Sequence, residues 1–387
     1  MKWSEIPAGA RHYMLYHAIV SPLLITWYML PLYLFRTGYS VLEVGILYSA
    51  VHVASVPATY LVGRLFDKIP IRHGLVLIDA LDGVSSVLYG LAYGPIAPVL
   101  LFLGLLIEDI SKIFYPLYQA AERILYPEER MEEAFAWHLR LPEVTQLFSF
   151  LLLGYLFGYI YTSVTHLRIG FIAIGLSSVF TILYIMKFIP RMSKEERVGA
   201  GTFTFRVDKE FKLILILEAL ITFAWSMAPE IVLLNYVVNV LGMTLFEVML
   251  VEAAVSVGAI TATYLTERIP KDEGFKAMAI GYILIALWAA IMMINPPITL
   301  VILAYFIGRF GDILAFPFYR TWIFSKIPKE KASSLLSALS SYRKIIALLT
   351  PAIAGYLASL KPTLPYLLSL VLFITVSALL LYKRRIR

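Results

Sequence analysis

Long apolar stretches separated by short polar segments make up most of this chain. Several apolar runs exceed about 18 residues, the length that a helix needs to cross roughly 30 Å of hydrocarbon. Because water is absent at that depth, each run must satisfy its own backbone groups by forming a helix. The pattern therefore predicts an all-α membrane protein with twelve transmembrane helices. They are expected at residues 13–35, 41–63, 73–93, 98–121, 134–161, 168–188, 211–238, 243–265, 276–295, 298–322, 333–358 and 363–382.

The polar loops recur with a spacing of about 201 residues, which indicates an internal duplication. Tyr115-Pro116-Leu117-Tyr118 returns as Phe316-Pro317-Phe318-Tyr319, and Gly154-Tyr155-Leu156 returns as Gly355-Tyr356-Leu357. Duplicated membrane bundles are typical of transporters, because two similar halves can rock against each other around a central site. Each half holds an even number of predicted spans, so both enter the membrane from the same side. The pattern predicts two parallel six-helix repeats.

One long polar stretch, residues 189–210, separates the two halves. The predicted domains are an N-terminal six-helix bundle over 1–188 and a C-terminal six-helix bundle over 211–387, joined by this linker. Most of the 33 lysines and arginines fall in cytoplasmic loops when the N-terminus is placed in the cytoplasm. By the positive-inside rule, the linker and both termini are therefore predicted to be cytoplasmic.

Composition narrows the class of protein further. The chain is 60% hydrophobic and 15% charged, whereas soluble domains carry about 25% charged residues. The formal net charge of +7 suits contact with anionic membrane lipids, so no nucleic-acid partner is expected. The chain has no cysteine, which excludes disulfides and thiolate metal sites, and it has no phosphate-loop, HExxH or GxSxG motif. We expect no enzyme activity, no cofactor and no resident metal.

The loop between the second and third predicted spans reads Gly63-Arg64-Leu65-Phe66-Asp67-Lys68-Ile69-Pro70-Ile71-Arg72. It resembles the signature of the major facilitator superfamily, G-x-x-x-D-[RK]-x-G-x-[RK], with Pro70 at the usual glycine. A degenerate copy stands in the second half at Glu267-Arg268-Ile269-Pro270. The resemblance covers the whole chain. It implies a monomeric transporter of the cell (plasma) membrane that works by alternating access.

The resemblance also implies a gate at the cytoplasmic edge of the membrane. Asp67 would face a helix N-terminus, where a carboxylate is stabilised by roughly 0.3–1 kcal/mol. A contact that forms in one rocking state and breaks in the other biases the equilibrium between them. The alternative is that these charges anchor the loop and follow the positive-inside rule. The gating candidates are Gly63, Asp67, Lys68, Arg72, Glu267 and Arg268.

Ionisable residues at membrane depth are site hypotheses, because an unpaired charge there costs several kcal/mol. In the fourth predicted span, Lys112 follows Glu108 by four residues and Asp109 by three, so it can reach both carboxylates. The resemblance implies that spans one, four, seven and ten line the transport cavity. For the aromatic candidate, the alternative is the interfacial belt and ordinary packing. The substrate- or proton-binding candidates are Glu108, Asp109, Lys112, Arg309, Asp312, Glu230 and Trp225.

A second charged set falls on helices that the resemblance places at the seams between the halves. Span five would lie against span eight and span two against span eleven. Arg140 is then expected to approach Glu252, and His52 to approach Arg343. The alternative is that these residues form structural pairs that fix helix register. The seam candidates are Arg140, Glu143, Glu252, Arg343, Lys344 and His52.

Two adjacent carboxylates with one ammonium leave an uncompensated charge in the fourth span, which suits a group that binds and releases protons. We therefore predict a secondary transporter for a small organic or amphipathic solute, driven by protons and working as an exporter. Uptake of a small anionic metabolite, by symport or uniport, is the main alternative, because arginines grip carboxylates and phosphates. A divalent metal exporter using His17, His52 and the carboxylates, and a non-transporting membrane protein, are the remaining alternatives.

Overall fold

A computed structural model describes residues 3–66, 69–127, 131–191, 209–266, 268–326 and 332–386. Within these ranges every regular element is helical, so the prediction of an all-α protein is confirmed. Eleven of the helical segments in the described ranges are long and apolar enough to cross a membrane. The chain is therefore a multi-pass membrane protein.

Eight α-helices occupy the described part of the first half of the chain, together with short 3-10 and π segments. Their bounds are α1 Ala8–Val20, α2 Thr26–Arg36, α3 Val41–Phe66, α4 Ile71–Leu91, α5 Ala97–Ile113, α6 Pro116–Leu125, α7 Met131–Tyr155 and α8 Val164–Phe188. A 3-10 turn over Ser21–Ile25 joins α1 to α2 into one span, and a π segment over Leu156–Ile160 extends α7.

Eight more α-helices follow among the described residues of the second half. Their bounds are α9 Lys209–Ser226, α10 Glu230–Leu234, α11 Leu245–Thr266, α12 Gly274–Met293, α13 Ile298–Lys326, α14 Ala332–Ala347, α15 Thr350–Leu360 and α16 Leu364–Ile386. The predicted linker over 189–210 lies almost entirely outside the described residues.

The fourth predicted span differs from the expected continuous helix. It consists of α5, which is 17 residues long, and α6, which begins at Pro116 after a break at Phe114 and Tyr115. Proline lacks an N–H and is tolerated at the start of a helix but not in its interior without a break or kink. Among the described residues, neither α5 nor α6 is long enough by itself for a simple membrane crossing.

The other prolines of these spans differ in whether they lie at a helix break or inside a helix. Pro22 lies in the 3-10 turn of the first span, and Pro229 immediately precedes α10 after the end of α9 at Ser226. Pro31 and Pro317, by contrast, lie inside continuous helices, α2 and α13. These prolines thus lie both at helix breaks and inside continuous helices.

The chain divides into two compact units, each with its own packing. The first contains residues 1–38 and 50–197, and the second contains residues 39–49 and 198–387. Glycines allow helices to approach closely in both. In the first unit, a Cβ atom on Gly83 of α4 would lie 2.1 Å from Ser178 Oγ of α8. In the second, a Cβ atom on Gly281 of α12 would lie 2.5 Å from the carbonyl oxygen of Gly311 in α13.

The first part of α3, residues 39–49, packs within the second unit. A Cβ atom on Gly45 would lie 2.3 Å from the carbonyl oxygen of Pro351, so the α3 and α15 backbones are in direct contact there. Ser49 Oγ accepts a hydrogen bond of 3.0 Å from the backbone N–H of Ala352. That N–H lies in the first turn of α15, where it has no partner inside its own helix. Ser49 therefore caps α15 from a neighbouring helix.

Candidate functional site

A polar cluster surrounds the middle of α5 in the first unit. Lys112 Nζ lies 2.8 Å from Glu108 Oε1, one helical turn away, and the hydroxyl of Tyr89 donates to Glu108 Oε2 at 2.6 Å. Lys112 Nζ also lies 5.9 Å from the centroid of the Trp27 ring. An ammonium over an indole face is attracted by the ring quadrupole. Glu108 and Lys112 are thus held together by local helix geometry and supported by rings from α2 and α4.

Asp109 takes a different partner from its neighbour. It is 7% exposed, and its Oδ1 atom lies 3.4 Å from Nδ1 of His52 on α3. Within the first unit His52 therefore lies beside Asp109, and its approach to Arg343 of the second unit stays a prediction. The sequence separation of His52 and Asp109 explains why their pairing was not foreseen. Glu108 and Asp109, although adjacent in sequence, therefore belong to two different ionic contacts.

Two further carboxylates, Asp79 and Asp82 of α4, complete the cluster and were not among the predicted site residues. The hydroxyl of Tyr16 donates to Asp79 Oδ1 at 2.6 Å. Asp79, Asp82 and Glu108 together line a cavity of about 50 Å³ inside the first unit. The signal in the sequence was the i to i+3 spacing of two aspartates at membrane depth in the third span.

An aromatic and histidine cluster lies beside the Tyr16 end of that site. The ring of His17 makes edge contacts with Tyr13 at 4.6 Å and with His138 at 4.7 Å between centroids. His138 Nδ1 lies 2.6 Å from the hydroxyl of Tyr126, and its Nε2 lies 3.6 Å from Glu122 Oε1. His17 Nε2 is buried and has no hydrogen-bond partner among the described residues. His17 is therefore embedded in rings and not in a set of metal ligands.

The second unit contains two ion pairs at membrane depth. Arg343 of α14 makes two hydrogen bonds to Glu218 of α9, at 2.5 and 2.7 Å, and Glu218 is 2% exposed. Arg309 of α13 lies 2.7 Å from Asp312, one turn along the same helix. A guanidinium with two parallel hydrogen bonds to one carboxylate is the stronger geometry. Arg343, predicted as a seam residue, thus has its carboxylate partner inside its own unit.

The two remaining cavity candidates of the second unit occupy contrasting places. Trp225 packs in a ring cluster, with centroids 5.4 Å from Trp288 and 5.2 Å from Phe373. This contact agrees with the packing alternative for Trp225. Glu230 is the first residue of α10 and is exposed.

The amino-acid sequence itself is matched by a known family. The profile of the Major Facilitator Superfamily matches residues 24–351. The chain belongs to the major facilitator superfamily. The resemblance seen in the loop between the second and third spans is therefore confirmed. No curated protein matches the chain.

Solved structures share this major facilitator fold at low sequence identity. A bacterial homologue of the iron transporter ferroportin, in the inward-facing state, has a TM-score of 0.75 at 14% identity and covers 97% of this chain and 98% of its own. A bacterial metal transporter has a TM-score of 0.70 at 14% identity, covering 98% and 99%. A POT family transporter in complex with a thioalcohol-conjugated peptide has a TM-score of 0.67 at 15% identity, covering 98% of each chain. Identities this low establish the fold alone.

The signature loop of this major facilitator protein is partly described. Gly63 lies in the last turn of α3, Arg72 is the second residue of α4, and Arg268 is exposed after the end of α11. Asp67, Lys68 and Glu267 lie outside the described residues. The gating role of all six candidates stays a prediction.

The seam candidates lie on the expected helices. Arg140 and Glu143 are on α7, Glu252 is on α11, and Lys344 is exposed on α14. The predicted approach of Arg140 to Glu252 stays a prediction.

Proposed function

We propose that this major facilitator protein is a secondary active transporter that exports a small organic or amphipathic solute in exchange for protons. The observation that carries the proposal is the charge imbalance around α5. Four carboxylates, those of Asp79, Asp82, Glu108 and Asp109, share this region with one ammonium, that of Lys112. Buried charges in excess of their partners are costly in a membrane. Protonation removes that cost, so the protonation state of this cluster is coupled to its structure.

The Glu108–Lys112 pair supplies a physical basis for coupling. The ionised carboxylate of Glu108 attracts the ammonium group of Lys112 at 2.8 Å. When Glu108 is protonated, most of that attraction is lost. Lys112 is then released toward other acceptors or toward a bound solute. Binding of a proton and rearrangement of the lysine are therefore linked, and a ligand that favours either state shifts the equilibrium. The neighbouring Trp27 ring offers an apolar surface for an amphipathic solute.

Alternating access is supported by the broken helices and by the internal duplication in the sequence. Breaks beside Pro22, Pro116 and Pro229 fall in the first, fourth and seventh spans, which the family uses to line its cavity. Interrupted helices bend at defined points. We place the protein in the cell membrane as a monomer, with both termini in the cytoplasm, on the strength of the positive-inside pattern.

The test is proton flux in proteoliposomes that contain a trapped pH dye. Organic cations, organic anions, sugars and amphipathic drugs are added in turn to the wild type and to the double variant Glu108→Gln/Asp109→Asn. We expect one compound class to trigger flux in the wild type, and the variant to lose it. Glu273→Gln is the matched control, because Glu273 pairs with Lys276 at 3.0 Å in a polar segment of the second unit. Exchange of a labelled compound without proton flux would refute proton coupling, and no exchange at all would favour a non-transporting protein.

Uptake of a small anionic metabolite is a second candidate, supported by Arg309, Arg343 and Lys344. In the structure, however, the guanidinium groups of Arg309 and Arg343 are each engaged by a carboxylate. An incoming anion would have to displace Asp312 or Glu218 from its partner. Saturable uptake of a labelled organic anion, lost in Arg309→Gln, would favour this candidate over export.

Metal export is a third candidate because two of the solved structures are described as an iron transporter homologue and a metal transporter. Within the described residues, no group of three or more histidine, aspartate or glutamate side chains is placed to hold a metal ion. Divalent metals bound directly by proteins require several such ligands at one point. The described side chains thus favour an organic solute over a divalent metal.

A further inference from the structure

The cavity inside the first unit has a surplus of negative charge beyond the Glu108–Lys112 pair. Asp79 and Asp82 lie on one face of α4, three residues apart, and Glu108 faces them from α5. The ammonium group of Lys112 is taken by Glu108 at 2.8 Å. Neither aspartate has a basic partner within salt-bridge distance among the described residues. Two buried carboxylates therefore face the same small space without a positive charge of their own.

One oxygen atom of each aspartate also lacks a well-formed hydrogen bond in the described part of the chain, although the hydroxyl groups of Thr181 and Ser111 lie near Asp79 and Asp82. Asp79 is 5% exposed; its Oδ1 accepts from Tyr16 at 2.6 Å, while its Oδ2 is buried without a partner among the described residues. Asp82 Oδ1 is likewise buried and unpaired in the described part of the chain. Native proteins satisfy nearly all buried polar atoms. Unpaired carboxylate oxygens that line a cavity therefore indicate a ligand that offers positive charge.

The hydroxyl groups of the cavity wall strengthen this indication. Ser85 Oγ donates to the carbonyl oxygen of Asp82 at 2.8 Å, Ser178 Oγ donates to that of Gly175 at 2.7 Å, and Thr26 Oγ1 donates to that of Leu23 at 3.1 Å. Each hydroxyl has one hydrogen to donate. These three are used on helix carbonyls, so their oxygens face the cavity as acceptors. A wall of carboxylate and hydroxyl oxygens suits a hard cation, which prefers oxygen ligands.

We infer that this cavity binds one small monovalent cation, with Asp79 and Asp82 as its ligands. The volume of about 50 Å³ admits an ion of the size of Na⁺ together with a few water molecules, since about 10–15 Å³ of such cavity volume holds one water. A divalent ion fits less well, because the described residues do not bring three ionisable ligands to one point. The site shares its cavity with Glu108 and Trp27 of the proposed transport site, but its test requires no transported solute.

Three other groups near the cavity can compete for this role. Glu108 adds a third carboxylate, Lys112 can neutralise an aspartate if it leaves Glu108, and Tyr115 also lines the wall. Protons are the remaining competitor, because protonated aspartates need no cation. Each competitor makes a different experimental prediction from a bound ion.

The test uses the full-length purified protein in detergent and does not require a transport substrate. Thermal unfolding is followed in NaCl, LiCl, KCl and choline chloride at constant ionic strength. We expect Tm to rise saturably with Na⁺ by roughly 2 °C or more relative to choline, because a ligand that binds the folded state stabilises it. Equilibrium binding of radioactive sodium to the wild type is expected to saturate near one ion per chain.

Variants of the two aspartates test whether these residues are the ligands of the ion. Asp79→Asn and Asp82→Asn are each expected to abolish the sodium-dependent rise in Tm and to weaken sodium binding at least tenfold. The matched control is Asp312→Asn, which removes an aspartate at membrane depth from the second unit, where it pairs with Arg309. This control is expected to keep the sodium-dependent rise even if its baseline Tm falls.

Several results would overturn the inference. Wild-type protein that neither binds radioactive sodium nor shows a sodium-dependent Tm refutes it without any variant, so poor folding of the variants cannot protect it. A Tm that responds to pH and not to sodium shows that the aspartates hold protons instead. Sodium binding that survives in both aspartate variants places the ion elsewhere. Failure of proton-coupled transport would leave the binding result intact, so the two proposals fail separately.

Discussion

The polar clusters of the two units occupy corresponding positions in the sequence but use different chemistry. His17 of α1 and Glu218 of α9 are 201 residues apart, the spacing of the internal duplication. His17 lies among aromatic rings with an unpaired Nε2, whereas Glu218 is held by two hydrogen bonds from Arg343. The first unit thus presents a histidine packed among aromatic rings where the second presents a closed ion pair.

The same contrast appears on the fourth and tenth spans. Arg309 follows Glu108 by 201 residues, so a basic residue in the second unit stands where the first has an acidic one. Arg309 pairs with Asp312 and leaves no net charge, whereas Glu108 and its neighbours leave an excess of carboxylates. The two units therefore differ in charge at positions that the predicted duplication relates to each other. This difference suggests that the first unit responds to protons and cations while the second provides stable pairing.

The largest expected loss of stability comes from breaking the ion pair between Arg343 and Glu218 in the second unit. Arg343→Met leaves the buried Glu218 carboxylate without its two donors, and losing one partner of a buried pair is strongly destabilising. We expect a loss of about 3 kcal/mol in the free energy of unfolding, at the low end for such pairs because Arg343 is half-exposed and partly screened. Thermal or denaturant unfolding in detergent measures it.

The adjacent variant Lys344→Met is the control for Arg343→Met, with an expected change within about 0.5 kcal/mol, as for most exposed positions. Glu218→Leu/Arg343→Met removes both charges and is expected to recover most of the loss. If Arg343→Met behaves like Lys344→Met, the contrast between a closed pair and an open cluster is wrong.

Breaking the ion pair between Glu108 and Lys112 in the first unit is expected to destabilise the protein less. Lys112→Met leaves Glu108 without its ammonium, but Glu108 keeps the hydrogen bond from Tyr89 and can be protonated. We expect a loss of about 2 kcal/mol, below that of Arg343→Met. Because protonation removes the uncompensated charge, the loss is larger at alkaline pH and smaller at acidic pH. Unfolding measured across pH checks this, and a loss that is independent of pH would contradict a titrating cluster.

The amino-acid sequence predicts the helices well where a long apolar run decides the structure. The sixth span was expected at 168–188 and forms α8 over Val164–Phe188. Helix breaks are harder to predict, because a proline interrupts a helix only where neighbours satisfy the freed backbone groups. Pro116 begins a new helix, whereas the corresponding Pro317 lies inside a continuous one. Corresponding prolines in the two halves thus have different outcomes.

Local spacing reveals only part of the site. Glu108 and Lys112 are four residues apart on one helix, so their pairing follows from helix geometry. Arg343 and Glu218 lie on different helices, and nothing in their spacing indicates that they meet. Asp79 lies on the third span, which is not one of the spans that the resemblance places around the cavity. Its role in the cavity depends on how α4 packs against Tyr16 and α5, which only the three-dimensional structure provides.

A smaller effect is expected where glycines allow close helix packing. The added methyl of Gly281→Ala would meet the carbonyl oxygen of Gly311 at 2.5 Å, and that backbone atom cannot rotate away. The methyl of Gly83→Ala meets the hydroxyl of Ser178 at 2.1 Å, which can rotate, and the fixed atoms Ser178 Cβ at 2.8 Å and Gly175 O at 3.0 Å, which lie farther away than the Gly311 oxygen does from Gly281. Overpacking costs about 1–3 kcal/mol, and the better helix propensity of alanine offsets about 1 kcal/mol. We expect a net loss of about 1–2 kcal/mol for Gly281→Ala and a smaller one for Gly83→Ala, measured by unfolding. Equal losses would show that the two contacts are equally rigid.

The smallest expected loss of stability concerns the backbone N–H groups that follow a helix break. The two units provide different acceptors for these groups. After the break in the first unit, Leu117 and Tyr118 donate backbone N–H groups to the preceding turn at 2.9 Å each. After the break between α14 and α15 in the second unit, the backbone N–H of Ala352 instead donates to the side chain of Ser49. Ser49→Ala removes that acceptor, and a typical hydrogen bond contributes about 1 kcal/mol. We expect a loss of that size in the free energy of unfolding.

The control for Ser49→Ala is Ser359→Ala, because Ser359 is exposed and bonds only back to its own helix, to the carbonyl oxygen of Tyr356 at 2.7 Å. Its removal is expected to change stability by less than about 0.5 kcal/mol. Hydrogen exchange at the amide of Ala352 separates a local effect from a global one. Faster exchange there, with little change at Leu117 and Tyr118, is expected if Ser49 stabilises the start of α15. Unchanged exchange at Ala352 would mean that α15 begins without help from α3, and the two breaks would then be stabilised in the same way.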